Sequence, residues 1–209
     1  MLSIIQAAGW PIWPLILCSI LALALIIERL YQLQTAKIMP PQTLEEAMDA
    51  SRTSLPAEDF IRQLETKGVL GPVLASSLRC LQKNPSATTD DIQSHMETAG
   101  RLAAQRLERY LSTLGTIASS APLLGLLGTV VGMIEIFAAQ TAGGTQPAQL
   151  AYGISVALYN TAFGLIVAIP ALMFWRYFRT LVDNHLLSLE VASAQFARHL
   201  SPLLNPSRP

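Results

Sequence analysis

Five polar side chains interrupt long apolar runs in this sequence: Thr129, Glu135, Ser155, Asn160 and Thr161. A hydroxyl or amide in an apolar helix can contact a passing charge. It can also simply bond a carbonyl of its own helix, as membrane threonines often do. A carboxylate is costlier to hide, so Glu135 is a functional candidate by default. It lies near one end of its run, where it can equally reach the interface. Around these groups run small residues at helical spacing. Gly125, Gly128 and Gly132 form one ridge, and Gly153, Ala157, Thr161, Gly164 and Ala168 form another. Small ridges let helices approach closely in lipid. They serve either packing within the chain or a surface on which another helix sits or turns.

Other chemistry is poorly represented. His95, His185 and His199 are scattered without metal-ligand spacing, and Cys18 and Cys80 form no CxxC. Neither a metal site nor a cofactor site is expected. No GxSxG, Walker A or HExxH pattern occurs, so the chain does not read as an enzyme.

The elements that must position these residues are membrane helices. Of 209 residues 51% are hydrophobic and only 13% charged, about half the usual charged share of roughly 25%. The mean hydropathy is +0.40. Fourteen basic and fourteen acidic side chains cancel. A disordered chain and a basic nucleic-acid binder are excluded. No charge precedes Glu28, none occurs over 111–134, and none over 136–175. A spanning helix needs about 20 apolar residues. Three spans follow, at 10–30, 116–138 and 151–175, with a polar break, TAGGTQPAQ, at 141–149. The first span reads as a retained helix rather than a signal peptide. No Lys or Arg precedes it, and it ends in Glu28-Arg29-Leu30-Tyr31. Pro122 and Pro170 remove donors and can kink their helices.

All fourteen Lys and Arg fall in Arg29–Arg109 or Arg176–Arg208. The positive-inside rule makes both regions cytoplasmic. The expected layout is a periplasmic N-terminus 1–9, a cytoplasmic helical loop 31–115, a periplasmic loop 139–150 and a cytoplasmic helix and tail 176–209. Within the loop, Phe60, Ile61 and Leu64 form one apolar face. Leu74, Leu78 and Leu81 form another, entered through Gly71-Pro72 with the proline at the first helical position. Thr88 or Thr89 caps a longer helix, with Asp90 and Asp91 in its first turn. Its stripe runs Ile92, Met96, Ala99, Ala103, Leu107, Tyr110 and Leu114, and no proline intervenes before Pro122. The expectation is an unbroken helix into the membrane. The third span continues likewise from Trp175 through Phe178, Val182, Leu189 and Phe196 to Leu200, stopped by Pro202. These stripes pack within one subunit, or build a tall bundle that also meets neighbouring copies.

The runs APLLGLLGTVVGM and GISVALYNTAFGLIVAIPAL, over 121–133 and 153–172, resemble the MotA/TolQ/ExbB proton-channel family. They are most similar to its ExbB/TolQ branch. The paired GTxxG and TAxGLxxAIPA signatures are specific together. The flagellar-stator branch would show four spans. The resemblance implies an all-α integral membrane protein of three transmembrane helices, two extending into a cytoplasmic bundle. It implies a homopentameric ring in the bacterial inner membrane, a molecular motor driven by the proton motive force. The partner would be an ExbD- or TolR-like single-span protein whose membrane Asp carries the proton. Work would pass to a TonB-like or Tol-type envelope protein, for nutrient transport or envelope maintenance. The family's pore threonines fall on Thr129 and Thr161, with Asn160 and Glu135 as further pathway candidates. Gly125, Gly128, Gly132, Ala157 and Gly164 are candidates for helix packing or partner contact. One position departs: Val156 stands where family members carry Glu. A non-conducting scaffold would need the same helices but no polar pore.

Overall fold

The chain forms the helices that its apolar runs dictate. The computed structural model describes residues 10–143 and 147–204. The expected periplasmic N-terminus, the end of the tail and the centre of the 139–150 loop lie outside the described residues. So does the side chain of Val156. Eight helices occur among the described residues, and no strand. They are α1 (Ile12–Gln32), α2 (Thr35–Ile38), α3 (Thr43–Ala50), α4 (Glu58–Glu65), α5 (Leu70–Lys83), α6 (Thr89–Glu108), α7 (Leu111–Gly143) and α8 (Pro147–Leu204). Three helical stretches are long and apolar enough to cross a membrane. They lie at Ile12–Gln32, Thr89–Ala138 and Ala151–Pro202.

The chain divides into two compact units. The first comprises Met1–Arg29 and Tyr110–Phe178, so it holds nearly all of α1, all of α7 and the first half of α8. Helix α7 runs through Pro122, and α8 through Pro170, without interruption. Leu15, Ala121 and Ala168 form a buried cluster with Leu124, Phe163 and Val167 against it. Large apolar side chains point outward, among them Trp13, Leu17, Ile20, Leu123, Ile134, Ile166 and Met173. A contiguous apolar surface of this kind is unsuited to water and suited to lipid.

The second unit comprises Leu30–Arg109 and Arg179–Pro209. Its centre is α5, packed against α3, α4 and α6. Leu74, Ala75 and Leu78 of α5 are completely buried, as are Ile61 of α4 and Ala47 of α3. The distal half of α8 adds Val182, Phe196 and Leu200, also completely buried. His185 is buried beside the Leu33 carbonyl, with Nε2 at 3.2 Å. Ion pairs join Lys67 to Glu46, and Arg79 to Glu65 at 2.9 Å. These pairs are partly exposed, so each is worth at most about 1 kcal/mol; apolar burial holds the unit. Gly68 permits the exit from α4. Its φ is +62°, and a Cβ there would meet the Ile38 carbonyl oxygen at 2.6 Å.

Four local features differ from or refine the expectations. Helix α5 begins at Leu70, so Pro72 is its third residue rather than its first. Helix α8 continues two residues past Pro202, whose missing N–H matters little in a last turn. Thr88, not Thr89, caps α6, in a reciprocal capping box. The Asp91 amide donates to the Thr88 hydroxyl at 3.2 Å, and the Thr88 amide and hydroxyl each donate to the Asp91 carboxylate at 2.8 Å. Most consequentially, the helix expected to run unbroken into the apolar span stops at Glu108 and restarts at Leu111. Tyr110 there has φ 63°, in the left-handed region. That conformation costs a residue with a side chain about 1–2 kcal/mol. Arg29, only 2% exposed, places its guanidinium carbon 5.3 Å from the Tyr110 ring centre. A desolvated cation–π contact can offset up to about 2 kcal/mol.

Two outcomes follow for the second unit. A Cβ at Gly100, in α6, meets nothing within 4 Å. Gly100→Ala is expected to stabilise by about 1 kcal/mol in thermal unfolding, through helix propensity alone. Hydrogen bonds from the Thr88 backbone and hydroxyl hold the Asp91 carboxyl below the usual carboxylate range. Because the folded value is depressed, the cap contributes fully above the unfolded value of about 3.9 and fades as pH falls through the folded one. Thr88→Ala therefore lowers the melting temperature at pH 7. The gap from wild type narrows as pH falls through the folded value, leaving the share due to the Asp91 amide bond to the Thr88 hydroxyl.

Candidate functional site

Helices α7 and α8 pair antiparallel along their small ridges. A Cβ added at Gly125 would lie 2.8 Å from the Asn160 carbonyl oxygen and 3.1 Å from the Thr161 Cα. One at Gly164 would lie 2.7 Å from the Ala121 carbonyl oxygen and 3.1 Å from the Gly125 Cα. At Gly128 it would meet the Asn160 side chain, with Cβ at 2.7 Å. Gly132 faces Ala157 at a looser 3.3 Å, and Gly153 faces the Ile136 side chain. At the other end Gly115 lies under the Trp175 indole, whose Nε1 would be 2.8 Å from a Cβ. The two backbones are therefore in direct contact for several turns. Gly125, Gly128, Gly132, Ala157 and Gly164 all lie in this seam.

The seam determines where the polar groups point. Successive residues turn by about 100°. In two antiparallel right-handed helices, residues just after seam positions therefore turn to one side of the pair, and those just before them to the other. Thr129 follows Gly128, and Thr161 follows Asn160, so the two threonines share one flank. Leu124 precedes Gly125, and Phe163 precedes Gly164, so these share the opposite flank. That second flank is where Leu15 of α1 packs. Helix α1 thus covers one side of the seam, and among the described residues the side with the threonines is left uncovered.

On the uncovered flank Thr129 and Thr161 are each half-buried. The Thr129 hydroxyl donates to the Leu126 carbonyl at 2.7 Å, the local bond expected of a membrane threonine. Its two lone pairs remain available to a donor or cation. Their neighbours are apolar and include Leu126, Met133, Ile154, Leu158 and Leu165. Asn160 is elsewhere: only 1% exposed, it is enclosed in the seam against Gly128. Glu135 is exposed and lies three turns beyond Leu124 on the α1 flank. Two of the four pathway candidates are thus brought together, and two stand apart. Among the described residues no three His, Cys, Asp or Glu side chains gather as metal ligands.

Sequence reasoning overlooked the Trp175 lid over Gly115 and the packing of Leu15 on Ala121 and Ala168. Gly115 lies ten residues before Gly125, nearly three turns, so its place on the ridge was readable. The Leu15 contact joins distant parts of the chain and left no local sign.

Helices alone among the described residues, three of them long and apolar enough to cross a membrane and two joined along a glycine ridge, define a multi-span helical membrane protein. The family model for the MotA/TolQ/ExbB proton channel family matches residues 65–191. The chain is 35% identical over 177 residues to the biopolymer transport protein exbB1 of Vibrio cholerae, covering 79% of this chain and 73% of that protein. It is 30% identical over 135 residues to the biopolymer transport protein ExbB of Aquifex aeolicus, covering 62% of this chain and 90% of that one. Over 100 residues it is 41% identical to the Tol-Pal system protein TolQ of Haemophilus influenzae, covering 46% of this chain and 43% of that protein. This chain belongs to the MotA/TolQ/ExbB proton channel family, in its ExbB-like branch. That family is one of transport proteins, not of enzymes.

The seam distances set the order of substitution effects. Gly125→Ala and Gly164→Ala each drive a methyl into the facing backbone, which cannot yield without separating the helices. Each should cost about 1–3 kcal/mol and lower the unfolding temperature of the purified protein. Gly132→Ala meets only a methyl at 3.3 Å and should change it little. Equal effects at all three would show that the seam does not carry the packing.

Proposed function

We propose that this chain is the ring subunit of a proton-motive-force-driven motor, ExbB-like in role, and that Thr129 and Thr161 line its ion path. The observation that carries this reading is their shared flank, left uncovered by α1 while the other flank is packed. Several copies, five in the reading taken from the family, turn these flanks toward a common axis. The rod on that axis is an ExbD- or TolR-like single-span helix bearing a membrane Asp. Each proton crossing 100 mV releases about 2.3 kcal/mol. The partner's carboxyl is neutral in apolar surroundings and ionised where hydroxyls can donate to it. The threonines supply that donation at fixed angles, Thr129 by turning its hydroxyl proton from the Leu126 carbonyl to the carboxylate, and the apolar residues between them let the neutral rod pass. Work leaves through a TonB-like protein for transport across the outer membrane. Val156 supplies no carboxylate at its position on the ring, so no proton relay runs through that position.

The membrane in this reading is the bacterial inner membrane, and the positions of Lys and Arg support a periplasmic N-terminus and a cytoplasmic C-terminus. Residues 31–115 and 176–209 are then cytoplasmic. In the second unit a groove between α6 and α8 supports contact between neighbouring copies. It is floored by Met96, Leu186 and Leu189 and edged by Glu97, Arg101, Glu190 and Arg198. The match to TolQ favours a second reading in which the same device drives Tol-type envelope maintenance.

The test is proton flux into vesicles containing the ring and its single-span partner, beside energised uptake in cells. A hydrogen bond to a charged group is worth about 1.5–3 kcal/mol. Thr129→Val and Thr161→Val should therefore each slow flux roughly ten- to hundredfold. Ser155→Ala, on a side chain that bonds the Ala151 carbonyl at 2.9 Å and points away from the seam, should leave it unchanged. Full flux in both valine variants removes the assignment. No flux in the wild-type assembly favours a scaffold.

A further inference from the structure

The break between α6 and α7 falls where the sequence offers no breaker. Residues 108–111 are Glu, Arg, Tyr and Leu, with no Gly, Asn or Pro to favour it. Ala103, Leu107, Leu111 and Leu114 are buried on both sides at intervals of four, four and three residues. The apolar spacing of the sequence thus continues across the interruption. Yet Arg109 is extended, at φ −50° and ψ 136°, and Tyr110 has φ 63°. Among the described residues Tyr110 alone, other than glycine, has positive φ. A bulky residue in this region is an outlier. Such outliers persist where their surroundings hold them, and they concentrate at switching segments.

The surroundings here are specific. Arg29 lies in the last turn of α1, where helix carbonyls favour a cation. It is 2% exposed, paired with Glu28 at 3.6 Å, and its guanidinium covers the Tyr110 ring. A buried charge placed on the ring of the one strained residue ties the break to α1. Local sequence preference favours a continuous helix, and the long-range clasp favours the break.

We propose that Tyr110 is a two-state joint held open by Arg29. In the clasped state, seen here, Tyr110 is left-handed and α6 and α7 are separate helices. In the released state the guanidinium leaves the ring, Tyr110 turns right-handed, and residues 89–143 become one helix. Arg29 does not lose its charge at any accessible pH. The joint therefore responds to contact or load on the helices and not to protonation.

The test uses the full chain in lipid nanodiscs, with its two native cysteines replaced by alanine and spin labels at Thr98→Cys and Thr116→Cys. These positions are 18 residues, five turns, apart, so in one helix their backbones lie on one face about 27 Å apart. Wild type should show a distance distribution dominated by a different value. Arg29→Met keeps the bulk and removes the cation, and should shift the main population to the single-helix distance. Tyr110→Leu, which removes the ring, should do the same and serves if Arg29→Met does not fold. Arg29→Met combined with Tyr110→Gly should return to the wild-type distribution, because glycine takes the left-handed state freely. An unchanged distribution in Arg29→Met or in Tyr110→Leu overturns the proposal. So does a double variant that stays at the single-helix distance.

Discussion

Two helices surrounded by lipid tails gain nothing by expelling water from between them. Their association must come from close contact of backbone and small side chains. In this chain that contact is the α7–α8 seam. At its tightest, a single added carbon at Gly125 or Gly164 would sit within 3 Å of a facing carbonyl oxygen. The rest of the membrane unit depends on this approach. It fixes the rotation of each helix about its own axis, and that rotation decides which side chains face α1, which face lipid and which are left uncovered. Thr129 and Thr161 reach a common flank because each immediately follows a seam residue. Had the ridges met one residue out of step, the hydroxyls would point apart.

The same constraint explains the division of labour among the polar groups. Asn160 is on the ridge itself, so the seam encloses it against Gly128. There it contributes to the specificity of the pair, because a polar side chain is tolerated in such a place only with its register fixed. Glu135 turns to the α1 flank near the end of α7 and remains exposed. A carboxylate there meets the interface without the cost of full burial in hydrocarbon. The threonines can bond within their own helix and still accept a further partner. A hydroxyl is thus a polar group that an otherwise apolar path can carry at low cost.

Much of this arrangement is legible in the sequence, for a definite reason. Charge-free runs and glycine spacing are periodic, and a helix converts period directly into a face. The spans, the two ridges and the Thr88 cap follow from residues within a few turns of one another. The flank covered by α1 does not. Leu15 meets Ala121 and Ala168 across more than a hundred residues, and nothing near Leu15 announces it. The break at Tyr110 was missed for a related reason. Local preference there favours helix, and the contact that opposes it comes from Arg29, about eighty residues earlier in the chain.

That conflict bears on how a membrane helix can turn. A continuous helix from residue 89 to 143 would transmit any rotation along its length, because every residue is tied to the fourth before it. A left-handed residue interrupts that chain of bonds at one point. Helix α8 lacks such a joint and runs unbroken for 58 residues. Of the paired membrane helices, one is therefore continuous and the other begins just after a left-handed residue beside a buried arginine. The seam holds the two together beside Thr129 and Thr161, and the left-handed residue lies beyond its end. In the proposed joint the threonine flank keeps its geometry while the backbone at Tyr110 changes form.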